Sequence, residues 1–248
     1  MKKKLAIVLA VALLCIMAVG TTLTYFTDTT EVDTNTMAVG NVKIEQVEDF
    51  DAGAKLLPYN GDPTKTGFTE ELNAVTKAVT VKNIGSEAAY IRTLFAFEGV
   101  KDQETNKYVN PVEKGIIHVE YNTDKIADTE TKVGAWAHVG SIKVGEVDYF
   151  VYSFTYSAAL AAGTDSVTPF SLKAIALDCN QGNEFYNNVG TDGKYNILVL
   201  SQAVQTAGFT GATAVADAFA AAFPLDKDGE GNATVIPTTW FPQTLNQG

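Results

Sequence analysis

His118 and His138 are the only imidazoles in this chain. Catalytic zinc takes three protein ligands and keeps a fourth position open. Glu120, two residues beyond His118 in IIHVEY, completes such a set only if folding brings His138 alongside. Neither histidine belongs to an H-E-x-x-H pair, which would set two ligands on one helical face. Both fall in segments with strand character, so the reading set against the zinc site is two partly exposed strand histidines.

Cys179, in ALDCNQG, is a candidate nucleophile to weigh next. A thiolate needs a base and an electropositive setting, whereas its neighbour Asp178 is acidic. It reads as a passive cysteine. The acidic run DKDGEGN places Asp226, Asp228 and Glu230 at positions one, three and five of a calcium-type loop, with Gly231 sixth. Position twelve should be a bidentate glutamate and is Pro237. A solvated acidic turn fits better than a calcium site. No G-x-S-x-G elbow, phosphate loop or dinucleotide fingerprint is present. No cofactor is expected, and no catalytic residue is assigned.

The N-terminus explains where such a chain works. Lys2, Lys3 and Lys4 precede an apolar run over residues 5–19. That run is shorter than the roughly 20 residues a membrane span requires. Residues 1–24 therefore read as a secretory signal peptide, an uncleaved anchor being the alternative. Cys15 follows the bulky Leu14, which argues against lipidation. The full chain carries 18 basic and 29 acidic residues. Loss of three leader lysines leaves 15 against 29, a net charge of −14. A chain so acidic cannot supply the cations that phosphate backbones and anionic lipid surfaces demand. Nucleic acid is excluded as a partner, and contact with membrane is expected only through the leader. Cys179 is then the single cysteine of the mature chain, so stability must come from a core and not from disulfides. About 220 residues suffice, because a domain of that size buries roughly 70–75% of its unfolded surface.

The elements that position these residues are mainly strands. Residues 75–84 (VTKAVTVKNI) and 90–98 (YIRTLFAFE) flank the breakers Asn83, Gly85 and Ser86. In the second run Ile91, Thr93, Phe95 and Phe97 share one face, opposite Arg92, Ala96 and Glu98. Residues 116–121 alternate in the same way. In residues 147–156 (VDYFVYSFTY), Phe150, Tyr152, Phe154 and Tyr156 recur at period two, as on a half-buried pleated surface. Further strands are expected over residues 42–47, 137–144, 167–177 and 195–205. Only residues 211–223 (GATAVADAFAAAF) prefer helix, with Val215, Phe219 and Phe223 along one face and Pro224 as the stop. Residues 99–114, 122–132, 178–194 and 226–234 read as loops. The expected class is all-β: a jelly-roll-like antiparallel sandwich over residues 42–248 with one late helix. Residues 25–41 form an N-terminal extension to it.

Several blocks then resemble one family. Lys77, Val79, Val81, Asn83, Gly85 and Ser86, followed by Ala89, Tyr90, Arg92 and Thr93, are similar to a recurrent K-x-V-x-V-x-N-x-G-S … A-Y-x-R-T block of the TasA/camelysin family of secreted Gram-positive proteins. Tyr25, Phe26, Thr27 and Asp28 resemble the stretch near which that family's leader ends. Residues 37–42 hold the place of its A-x-G-x-L motif, and AVQTAGF (residues 203–209) is similar to its A-x-Q-A-x-G-F. The resemblance implies a jelly-roll sandwich, release by a SipW-type signal peptidase and a life outside the cell, in the matrix or on the surface. It further implies assembly into biofilm matrix fibres. Some relatives are described as metallopeptidases, an activity that no familiar ligand motif carries over to this chain.

Fibre formation also follows from strand chemistry. Phe26, Thr27, Asp28, Thr29, Thr30, Glu31 and Val32 contain no proline or glycine and are rich in threonine. Such a segment can add to a sheet edge through its backbone. Donation to the next copy would be head-to-tail, so the principal partner is the chain itself. A docked or disordered terminus is the bland alternative. A camelysin-like peptidase using His118 and His138 and a non-fibrous surface adhesin are the competing functions.

Overall fold

Burial alternates residue by residue along β3 (Val75–Asn83), from Val75 at one end to Asn83 at the other, as a strand covering a core on one face requires. In the computed structural model, residues 27–30, 42–50, 54–163, 165–180, 195–227 and 233–241 are described. The leader, together with Phe26, Glu31, Val32, Asp228 and Glu230, lies outside them.

Two antiparallel sheets form the sandwich. β1 (Thr27–Thr30), β4 (Ala89–Glu98), β8 (Gly134–Val144), β9 (Val147–Tyr156) and β11 (Ile197–Gln205) make the larger, in the order β1-β11-β4-β9-β8. The smaller comprises β2 (Ile44–Phe50), β3, β7 (Ile117–Tyr121) and β10 (Leu172–Leu177), in the order β2-β3-β10-β7. The chain crosses between sheets repeatedly, and the all-β sandwich expected from strand periodicity is the fold observed. Short hairpins occupy two segments read as loops: β5 (Val100–Lys101) with β6 (Tyr108–Val109), and β12 (Asp226–Lys227) with β13 (Ala233–Val235).

Between the sheets Ile91, Phe95, Phe97, Phe154 and Val199 meet Val79, Val81, Ile117 and Leu177. Trp136 closes one side, stacked on Tyr121 of the opposite sheet at 5.1 Å and 8° and on Tyr152 at 5.4 Å. A polar link crosses elsewhere: Ser201 Oγ donates to Gln46 Oε1 at 2.6 Å. The β3–β4 corner depends on Asn83, which is fully buried. Its Nδ2 donates to the carbonyls of Glu87 (2.8 Å) and Ala161 (3.0 Å), and its Oδ1 accepts from the Gly85 N–H (3.0 Å). The N-x-G pattern in the sequence is therefore a corner device. Gly145, at φ +60°, turns the β8–β9 hairpin, where a side chain would be strained.

The larger sheet is covered on its outer face as well. α1 (Ala214–Ala222) lays Ala218 and Phe219 on Val204. Beyond it, Ile236 and Phe241 pack on Leu94, Ala96, Val151, Leu198 and Leu200. Strands β4, β9 and β11 are consequently buried on both faces. The strand expected over residues 167–177 begins as β10 only at Leu172. Pro169, which has no N–H to give a ladder, interrupts it. The preceding stretch bonds irregularly to β3, through Thr168 N–H to Val81 O and Ser171 N–H to Val79 O.

Candidate functional site

β11 lies one strand in from an edge of the larger sheet. Along one side it pairs with β4 over its whole length, from Ile197↔Phe97 to Gln205↔Ala89. Along the other, β1 pairs antiparallel with only part of it: Thr27↔Val204, Asp28↔Ala203, Thr29↔Gln202 and Thr30↔Ser201. Among the described residues, no strand pairs with Ile197 to Leu200 on that side. β11 (ILVLSQAVQ) is buried along seven of its nine residues and carries the polar Ser201 and Gln202 in that buried stretch. An uncovered edge of such a strand is a template for any extended segment. Thr27, Asp28, Thr29 and Thr30 are thus in a strand, as their composition suggested, and here it rests on β11 of the same chain. The acceptor strand had no role in the sequence reading. Its one signal was the short apolar run over residues 197–200, which fits a strand buried on both faces and does not say which edge is open.

The histidines are not brought together. Ile117, Val119 and Tyr121 of β7 face the core, so His118 and Glu120 lie on the outer face of the smaller sheet. His118 Nε2 pairs with Asp178 Oδ2 at 3.2 Å. Burial raises the Asp178 carboxyl, but hydrogen bonds from Asn180 and His118 outweigh it and hold it below the usual carboxylate value. Glu120 is committed to backbone, accepting from the N–H groups of Gly67 (3.0 Å) and Phe68 (2.8 Å), with Lys173 Nζ at 3.4 Å. His138 belongs to the other sheet. Its ring lies 4.9 Å from that of Tyr152, its Nδ1 is 3.0 Å from Glu113 Oε1, and its Nε2 is 3.0 Å from the Gly140 carbonyl. Each of the three side chains is thus engaged by its own local partners, on two different sheets. Among the described residues, no three of His, Cys, Asp and Glu gather as metal ligands would.

Cys179 is a free, exposed thiol in the turn after β10. Asp226 is exposed in β12, while its candidate calcium partners Asp228 and Glu230 lie outside the described residues. No helix among the described residues is long and apolar enough to cross a membrane. Comparison with family models, curated proteins and solved structures returns no match to this chain.

Proposed function

We propose that this is a secreted structural protein that assembles into extracellular matrix or cell-surface fibres, each subunit donating residues 26–32 to β11 of the next. The observation that carries this reading is the four-residue antiparallel pairing of β1 on the edge of β11. A ladder made within one chain can be made between chains with the same bonds, which is the basis of strand exchange. β1 is short, so few bonds oppose its release. Thirteen residues separate it from β2, a length that extends to at most about 45 Å and suffices to reach a neighbour. Donor and acceptor are different surfaces, so the contact is heterologous and propagates as a filament. The leader-like N-terminus and the resemblance to TasA/camelysin sequences favour an extracellular setting and a SipW-type peptidase.

Electron microscopy of the mature protein tests this. Fibres are expected from the intact chain and none after deletion of residues 26–36. Undiminished fibres from the deleted chain would overturn it.

A further inference from the structure

Arg92 is the only arginine in a chain with 17 lysines, and it is placed where an arginine is costly. It projects from β4 to the outer face of the larger sheet, beneath α1. Its guanidinium carbon lies 4.6 Å from the ring centroid of Phe219, 5.2 Å from Trp240 and 5.7 Å from Phe223. Nε donates to Gln202 Oε1 at 2.6 Å. Gln202 Oε1 is the one acceptor atom these two side chains possess. Arg92 Nη2 and Gln202 Nε2 are both buried, and both lack a hydrogen-bond partner among the described residues. Among the described residues no carboxylate pairs with Arg92.

The missing element is an acceptor, and there is space beside it. A cleft of about 760 Å³ opens between α1 and strands β8 and β9, with Arg92 in its lining. One wall is apolar, formed by Val215, Ala216, Ala220 and Phe223, while Thr155 and Ser157 lie on the other. Burial lowers the Arg92 pKa to about 10, which leaves the group charged at neutral pH. A half-buried cation with an unpaired, buried Nη2 group, rimmed by aromatic and aliphatic carbon, complements an anion carrying an apolar body. Guanidinium and carboxylate match in a two-pronged geometry that a lysine would not reproduce.

We propose that this cleft binds an organic carboxylate with an apolar tail, the carboxylate accepting from Arg92 and the tail lying along Val215, Ala216 and Ala220. The buried N–H groups become reachable as the Phe223 ring, at the end of α1, turns aside. Because that ring meets Trp240 edge-on at 6.2 Å, occupancy changes the Trp240 fluorescence.

The test is calorimetric titration of the monomeric mature protein with octanoate and with its uncharged counterpart octanamide, followed in parallel by tryptophan fluorescence. Octanoate is expected to bind with one equivalent per chain, and octanamide about tenfold or more weaker, as the loss of a charge-assisted hydrogen bond dictates. Arg92→Gln should weaken octanoate to the same extent. Should that variant fail to fold, Ala220→Trp fills the cleft from an exposed position and is expected to block octanoate without altering the melting transition. Equal affinity for the two ligands, no saturable octanoate binding, or binding unchanged by Ala220→Trp would each overturn the site. Monomers suffice, so the outcome is separate from whether fibres form.

Discussion

Gln202 of β11 lies directly opposite Thr29 of β1 on one side, and opposite Arg92 of β4 on the other. One residue therefore joins the edge that receives the N-terminal strand to the half-buried cation beneath the helix. Its backbone belongs to the ladder, and its side chain holds Arg92 in place. Strand pairing and the covered outer face consequently meet on β11, the strand on which both functional readings depend.

Trp136 holds the two sheets together at the side away from β11, between Tyr121 and Tyr152 and within 5.4 Å of Phe95. Trp136→Ala should lower unfolding stability by about 3 kcal/mol, near the lower end for such truncations because the ring is only partly buried. Urea denaturation measures it. A loss below about 1 kcal/mol would mean that the stack is not a main support of the sandwich.

Tyr156 sets a limit at alkaline pH. Its hydroxyl donates to the Pro169 carbonyl at 2.7 Å, and burial pushes its pKa up to about 12 from 10.0, with Thr168 and Ser171 opposing the shift. Between those values the folded chain keeps a proton that the unfolded chain loses. Its contribution is complete below pH 10.0 and is lost as pH rises toward about 12. Burial shifts Tyr152 and Tyr195 in the same direction. Tyr156→Phe should cost about 1 kcal/mol at neutral pH and show a shallower decline in stability above pH 10.0. Denaturation curves across that range decide it, and equal slopes for the two proteins would contradict the assignment.

Glu120 is a brace for the segment that crosses the outer face of the smaller sheet. It ties Gly67 and Phe68 to β7, while Tyr59 and Phe68 cover Ala174 and Ala176. Glu120→Ala should destabilise by about 2 kcal/mol, the usual loss for hydrogen bonds to a charged acceptor. The loss should be equal in zinc and in a chelator. A zinc-dependent difference would return Glu120 to the role of metal ligand.

The strands were legible wherever one face met the core. Alternation in VTKAVTVKN and the aromatic period in residues 147–156 correspond to β3 and β9. The helix and its Val215–Phe219–Phe223 face were legible too, because nothing else in the chain has that period. What alternation could not convey is the second covered face. Arg92, Ala96 and Glu98 look in sequence like a solvent side, yet Ala96 and Glu98 are buried beneath residues about 100 or more positions away. A period of two registers sidedness and not what lies against each side. The β-bulge between His138 and Gly140 in β8 was equally hidden, since it shifts register without changing composition. The pairing of Thr27–Thr30 with β11 is a contact between distant parts of the chain, which local propensity does not encode.

The central claim is that the ladder seen within one chain forms between chains in the fibre. Asp28 and Ala203 are register partners, so Asp28→Cys with Ala203→Cys, in a Cys179→Ser background, places two thiols where a cross-strand disulfide can close. The variant is assembled, oxidised and run on a non-reducing denaturing gel. Strand donation predicts a covalent ladder of dimers, trimers and longer multimers that collapses to monomer on reduction. Fibres that yield only monomer with an internal disulfide would contradict it.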